Sequence, residues 1–164
     1  MNEQNSGQMI QVPNTLRLKV AGAGRLGALD PSAIAKAEAA LKSLSGNFAQ
    51  WLQDEITKLE AARQAIRADG VTVETMQTLY IRAHDLKGLG TTYGFPLITR
   101  MAASLCVLTD DEEKRARAPM PLVDAHIDAI RAAVRDDIKT DEHPVGRALA
   151  EELETRVAAA MDAA

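Results

Sequence analysis

From Asp30 onward, apolar residues recur every three or four positions, the spacing of one face of an α-helix, and short polar breaks divide them into six segments. The first opens where Asp30 is placed to cap and Pro31 fills the next position, whose N–H has no helical partner. Ile34, Ala37, Leu41 and Leu44 mark its inward face, and Ser45-Gly46 is read as its end. A second helix is expected from Asn47, its N-cap, to Asp69, with Phe48, Leu52, Ile56, Leu59 and Ile66 inward and Gly70 as the stop. The third runs from about Val73 to Thr92, with Met76, Leu79, Ala83, Leu86 and Gly90 along one stripe. Gly94 is read as its end and as the cap of a fourth helix, which has Pro96 in its first turn and buries Leu97, Met101, Leu105 and Leu108.

A charged connector, Asp110 to Pro121, leads to a fifth helix marked by Val123, Ile127, Ile130, Val134 and Ile138. The sixth repeats every four residues, through Val145, Leu149, Leu153, Val157 and Met161. Short links between amphipathic helices make neighbours antiparallel, so the pattern implies an all-α bundle. Residues 1–29 form a Gly-rich arm whose alternating run Leu16–Val20 is consistent with a short strand.

Composition narrows the function classes. Hydrophobic residues make up 46% and charged ones 26%, which suits a globular chain. The net charge of -4, without a basic stretch interleaved with aromatics, argues against nucleic acid as a partner. The lone Cys106 excludes an internal disulfide. No segment has the pattern of a signal peptide or a membrane span, and a cytoplasmic location is expected. Gly22-Ala23-Gly24-Arg25-Leu26-Gly27 has GxGxxG spacing. A dinucleotide site would need that turn to open a helix and lead to a second strand, whereas Asp30-Pro31 restarts the chain and helical pattern follows.

Three histidines are candidates for chemistry. His143 precedes Pro144 at a helix start and reads as a solvated terminal residue, and His126 flanks the apolar row of the fifth helix as a boundary or core residue. All three histidines, His84 included, lie on different segments without ligand spacing such as i and i+4 on one helix, so no metal site is expected. His84 is different. Its neighbours one turn away are Tyr80, Ile81, Lys87 and Gly88, and the apolar stripe points elsewhere. A mid-helix glycine costs about 0.5–1 kcal/mol relative to alanine, and here it removes the side chain that would shield the imidazole from an approaching partner. Lys87 can reach a negative group placed on the ring. Two unit charges 4 Å apart in water attract by only about 1 kcal/mol, enough to orient a phosphoryl group without trapping it. With an ordinary pKa near 6.5, imidazole keeps its neutral, nucleophilic form populated at neutral pH.

The run Ala83-His84-Asp85-Leu86-Lys87-Gly88-Leu89-Gly90-Thr91-Thr92-Tyr93-Gly94 resembles the signature of histidine-containing phosphotransfer (HPt) domains, in which Ala-His-x-Leu-Lys-Gly is followed by small residues and a glycine ten positions after the histidine. Leu89 departs from the pattern, standing where a small residue is usual. The resemblance implies an antiparallel four-helix bundle over residues 30–140, and accessory N-terminal and C-terminal helices are expected beside it; the arm 1–29 and the accessory helix in 141–164 lie outside the common domain. It implies His84 as phospho-acceptor, Lys87 as its electrostatic support and Gly88 as the access residue, with Gln77, Ile81 and Thr91 meeting the partner. That partner would be the receiver domain of a response regulator or hybrid kinase. The Mg²⁺ of the exchange would sit on the receiver, with no cofactor or metal on this chain, which is expected to be a monomeric phosphocarrier rather than an enzyme.

Two other readings have different requirements. A histidine kinase, or a degenerate dimerisation module of one, shares His84-Asp85-Leu86-Lys87 but would continue with a Thr/Asn-Pro pair and an ATP-binding α/β domain; here Gly88-Leu89 and helical pattern follow. A non-catalytic helical adaptor would carry His84 as an incidental surface residue.

Overall fold

In the computed structural model, residues 31–163 are described, and all their regular structure is helical: α1 (Pro31–Asp69), α2 (Val73–Leu89), α3 (Pro96–Thr109), α4 (Glu112–Arg117), α5 (Met120–Arg135) and α6 (Pro144–Asp162). The arm 1–29, its strand-like run, the GxGxxG spacing and the Asp30 cap lie outside these residues. Contacts divide the chain into two units after Leu41. Of the first, the described part is the helical stretch 31–41, whose Ile34, Ala37 and Leu41 are exposed.

Two expectations about α1 are corrected. Ser45-Gly46 does not end a helix, and the stretch read as two helices is one of 39 residues. Gly46 keeps a right-handed backbone, so its cost is the modest one of a helical glycine, while the Ser45 hydroxyl donates back to the Lys42 carbonyl at 3.0 Å. The true stop is Gly70, whose φ of 86° an L-residue rarely adopts. Nor are Ile34, Ala37, Leu41 and Leu44 inward. Their spacing establishes a helix; it does not establish that anything covers the stripe.

From Lys42 onward the helices pack around one core. α1 contributes Leu52, Ile56, Leu59 and Ile66, while Phe48 is only half-buried. α2 lies along α3, and α3 also meets α5 and α6. α3 is the most apolar helix and the most enclosed; Leu97, Ile98, Met101, Leu105 and Leu108 are each 0–1% exposed. Its cap is Phe95 rather than Gly94, which instead supplies the left-handed turn (φ 85°) before it.

The connector Asp110–Pro121 contains α4, absent from the hydrophobic pattern because it buries no residue. Asp111 caps it by accepting the Lys114 N–H at 2.8 Å, with Glu112 and Glu113 in the positive first turn. In α5, Val123, Ile127 and Ile130 are buried, whereas Val134 is half-buried and Ile138 lies beyond the helix end.

In α6 the buried face is Gly146, Ala150, Leu153 and Val157, while Val145 is exposed. Steps of four residues advance 400° and so drift 40° each around a helix of 3.6 residues per turn; Val145 is thereby rotated off the face that Leu153 occupies. A Cβ on Gly146 would stand 2.8 Å from both Ile138 and Leu97 side chains, so glycine is what lets this helix start against α3. Arg100 of α3 then grips α6 through paired bonds to Glu154 at 2.7 and 2.8 Å. None of these helices is long and apolar enough to cross a membrane.

Candidate functional site

α2 is fixed at its start and along one face. Thr72 caps it by accepting the Thr75 N–H at 3.1 Å, and the Thr75 hydroxyl accepts the Thr72 N–H at 2.9 Å in return. Met76, Leu79, Ala83 and Leu86, at intervals of three and four, are driven into the core. This turns Gln77, Ile81, His84, Lys87 and Gly88 outward, and all five are exposed. The partner-facing candidates Ile81 and Gln77 thus share the face of His84, at one and two turns before it respectively.

The His84 imidazole has no hydrogen bond or ion pair among the described residues. Its ring neighbour is Tyr80, one turn back, with centroids 5.9 Å apart and planes tilted by 44°. At Gly88 an added Cβ would meet nothing within 4 Å, so the surface one turn beyond the imidazole is open. Lys87 has no ion-pair partner among the described residues. It lies near Cys106 of α3, whose thiol burial pushes up to about 11, although the Lys87 charge acts in the opposite direction. That thiol stays protonated at neutral pH and leaves the lysine charge uncompensated. Arg82 and Asp85 pair with each other on the flank at 3.4 Å.

Gly90 has a different role from Gly88. A Cβ there would stand 2.7 Å from the Thr99 hydroxyl oxygen and 2.8 Å from the Thr99 backbone nitrogen, so this glycine lets the end of α2 touch the first turn of α3. The same Thr99 hydroxyl accepts the Thr91 N–H at 2.8 Å and lies 3.0 Å from the Thr91 hydroxyl. Thr91 is exposed but beyond the end of α2, with its polar groups engaged on Thr99. Half-buried Leu89 stands just before this junction.

The other two histidines are placed apart from this face. His126 is fully buried on α5. Its Nδ1 is 2.8 Å from the Leu122 carbonyl and its Nε2 3.0 Å from the Ser104 hydroxyl, a set satisfied when Nδ1–H donates and Nε2 accepts. Burial lowers its pKa, partly opposed by the bond to Leu122, and keeps the ring neutral. His143 is exposed at the N-cap position of α6. No group of three His, Cys, Asp or Glu residues is assembled for a metal ion among the described residues.

The neighbourhood of His84 contains one residue that sequence periodicity does not associate with it. The guanidinium carbon of Arg115, on α4, lies 5.4 Å from the centroid of the Tyr80 ring. The available signal was the start of α4: Asp110-Asp111 followed by two glutamates and then basic residues has the charge order of a short helix. Nothing in that order identifies which ring the arginine would meet.

Comparison of the chain with protein-family models, with curated proteins and with solved structures finds no match. The likeness to phosphotransfer domains therefore rests on the residues from Ala83 to Gly94 and on what surrounds them.

Proposed function

We propose that the chain is a histidine phosphotransfer protein and that His84 exchanges a phosphoryl group with receiver-domain aspartates. In this reading α2, α3, α5 and the later part of α1 form the antiparallel four-helix bundle of such domains, with α4 and α6 as additions. The observation that carries it is the combination at His84 among the described residues: an exposed imidazole with both nitrogens unengaged, an unpaired lysine one turn on and an open surface at Gly88. A core histidine in the same protein has both nitrogens bonded, so the exposure of His84 is not general to histidines here.

The chemistry follows from a neutral imidazole. Its unprotonated nitrogen attacks the phosphorus of an aspartyl phosphate; the P–N bond forms as the P–O bond to the carboxylate breaks. The proton on the other ring nitrogen stays, and the aspartate leaves as a carboxylate. Lys87 offsets part of the phosphoryl charge, and the metal ion of the exchange is brought by the receiver. The chain itself would act as a carrier without ATP-dependent kinase activity.

The test is transfer from a phosphorylated receiver domain. Acid-labile, base-stable label is expected on the wild type and none on His84→Gln. Gly88→Glu, which fills the open surface with a charged side chain, is expected to slow labelling at least about tenfold, 1.4 kcal/mol of transition-state binding. Equal labelling of His84→Gln would overturn the assignment. Receiver binding without any label on the folded wild type would favour the adaptor.

A further inference from the structure

We propose that Tyr80 and Arg115 are positioning residues that hold the His84 imidazole in an attack-ready orientation; this rests on His84 being the phospho-acceptor. A histidine is usually oriented by a hydrogen bond to one ring nitrogen, which fixes tautomer and rotamer together. His126 is held that way, through Leu122 and Ser104. His84 has no such bond among the described residues, and a free imidazole on a helix surface would sample several rotamers. What it has is an aromatic wall.

Helical side chains lean toward the N-terminus, so the His84 ring leans over the turn that carries Tyr80. The centroid separation of 5.9 Å and the tilt of 44° lie within the range of favourable ring pairs. The ring is thus backed on its N-terminal side and open toward Gly88, where a Cβ would meet nothing.

A wall orients only if it is itself fixed. Tyr80 is half-buried against the core, and the Arg115 guanidinium lies over its ring at 5.4 Å. Arg115 is in turn anchored: its Nη1 donates to the Thr109 carbonyl at 2.8 Å and to the Asp110 carbonyl at 3.2 Å. These carbonyls are at the end of α3, where backbone acceptors lack helical partners and the helix dipole is negative. The Arg115 Nε is buried without a hydrogen-bond partner among the described residues. Here the guanidinium plane is committed to the Tyr80 face and to two carbonyls, and the unmet Nε follows from that orientation. The apparent connector α4 is then the base of a relay from α3 through Arg115 and Tyr80 to His84.

The test uses two donors and a measurement independent of transfer. Phosphoramidate, a small donor that needs no docking surface, and a phosphorylated receiver domain are each used to label the full chain. Tyr80→Leu keeps apolar bulk without a ring, Tyr80→Phe keeps the ring without the hydroxyl, and Arg115→Lys keeps the charge without the plane. Tyr80→Leu is expected to slow His84 labelling roughly tenfold with both donors, the scale of a misplaced attacking group. Tyr80→Phe should restore the wild-type rate, and Arg115→Lys should slow it severalfold, since lysine reproduces neither the fork nor the stack. NMR of the His84 ring should show contacts to the Tyr80 ring in the wild type and in Tyr80→Phe, and rotamer averaging in Arg115→Lys.

Wild-type labelling rates in Tyr80→Leu and Arg115→Lys would overturn the proposal, as would a His84 ring equally averaged in wild type and variants. Slowing with the receiver but not with phosphoramidate would also overturn it, since it would place Tyr80 in docking rather than in orienting the ring. If the wild type takes no label on His84, the phosphotransfer reading falls, while the NMR measurement still decides whether these residues hold the imidazole.

Discussion

The solvent side of α2 and the core beneath it use the same residue types to opposite ends. Among the described residues, His84 is exposed with both ring nitrogens unengaged, whereas His126 is sealed in the core with both bonded. Gly88 borders open space, whereas Gly90, two residues on, lies against the backbone of α3. Residue identity therefore decides little: on one side the missing contacts leave the ring and the neighbouring backbone accessible, and on the other the filled contacts hold the fold. Substitutions at matched positions should separate the two sides cleanly.

The largest difference is expected between the histidines. His126→Ala removes a fully buried ring and leaves the Ser104 hydroxyl without its partner. Cavity and desolvation together should lower stability by about 3 kcal/mol, read from the midpoint of urea unfolding. His84→Gln should stay within about 0.5 kcal/mol of the wild type, as exposed substitutions do. Similar losses in both variants would break the comparison.

Gly90→Ala comes next. Its Cβ would lie at 2.7–2.8 Å from the Thr99 hydroxyl oxygen and backbone nitrogen. The hydroxyl can turn away, but the backbone cannot, so α2 and α3 must separate locally at about 1–3 kcal/mol. The accompanying loss of the Thr91–Thr99 bonds should appear as faster amide exchange at Thr91.

These contacts also mark what the sequence made legible. α2 is readable because its stripe and the His84 motif agree on one helix with one outward face, although its end, read at Gly94, lies at Leu89 with Gly90 as the cap, and the Thr72 cap has no part in that reading. Gly46 reads as a break because a glycine inside a helix and one past its end look alike until φ is known, and among the described glycines only Gly70 and Gly94 are left-handed. α4 was missed because it buries nothing and so leaves no periodic trace. The contacts of Gly90 with Thr99 and of Tyr80 with Arg115 cross between helices, and local spacing carries no information on which residues meet there. The site was thus legible as far as one helix face and opaque where other helices support it.

A smaller and pH-dependent effect should come from His126. Its folded pKa is lowered by burial, while in the unfolded chain it titrates near its ordinary 6.5. The unfolded state therefore binds more protons below that value, and the stability present above about pH 6.5 is lost as pH falls toward the folded pKa. The slope for one group is at most about 1.4 kcal/mol per pH unit. Urea midpoints from about pH 7.5 down to about pH 5 should fall more steeply for the wild type than for His126→Gln, and parallel curves would refute the assignment.

The smallest expected effect has the opposite sign and is the most discriminating. Gly88→Ala adds a Cβ where nothing lies within 4 Å, so it relieves the entropic cost of a helical glycine without a clash. It should stabilise the fold by about 0.5–1 kcal/mol, raising the urea midpoint, while Gly90→Ala lowers it. Among the described residues nothing stands where a methyl group at position 88 would lie, so packing there does not require glycine. If the stabilised Gly88→Ala also accepts phosphoryl groups from a receiver more slowly, the open surface beside His84 is kept for the partner. If it is both more stable and equally fast, a methyl group fits that surface, and the access role narrows to excluding larger side chains such as the one Gly88→Glu introduces.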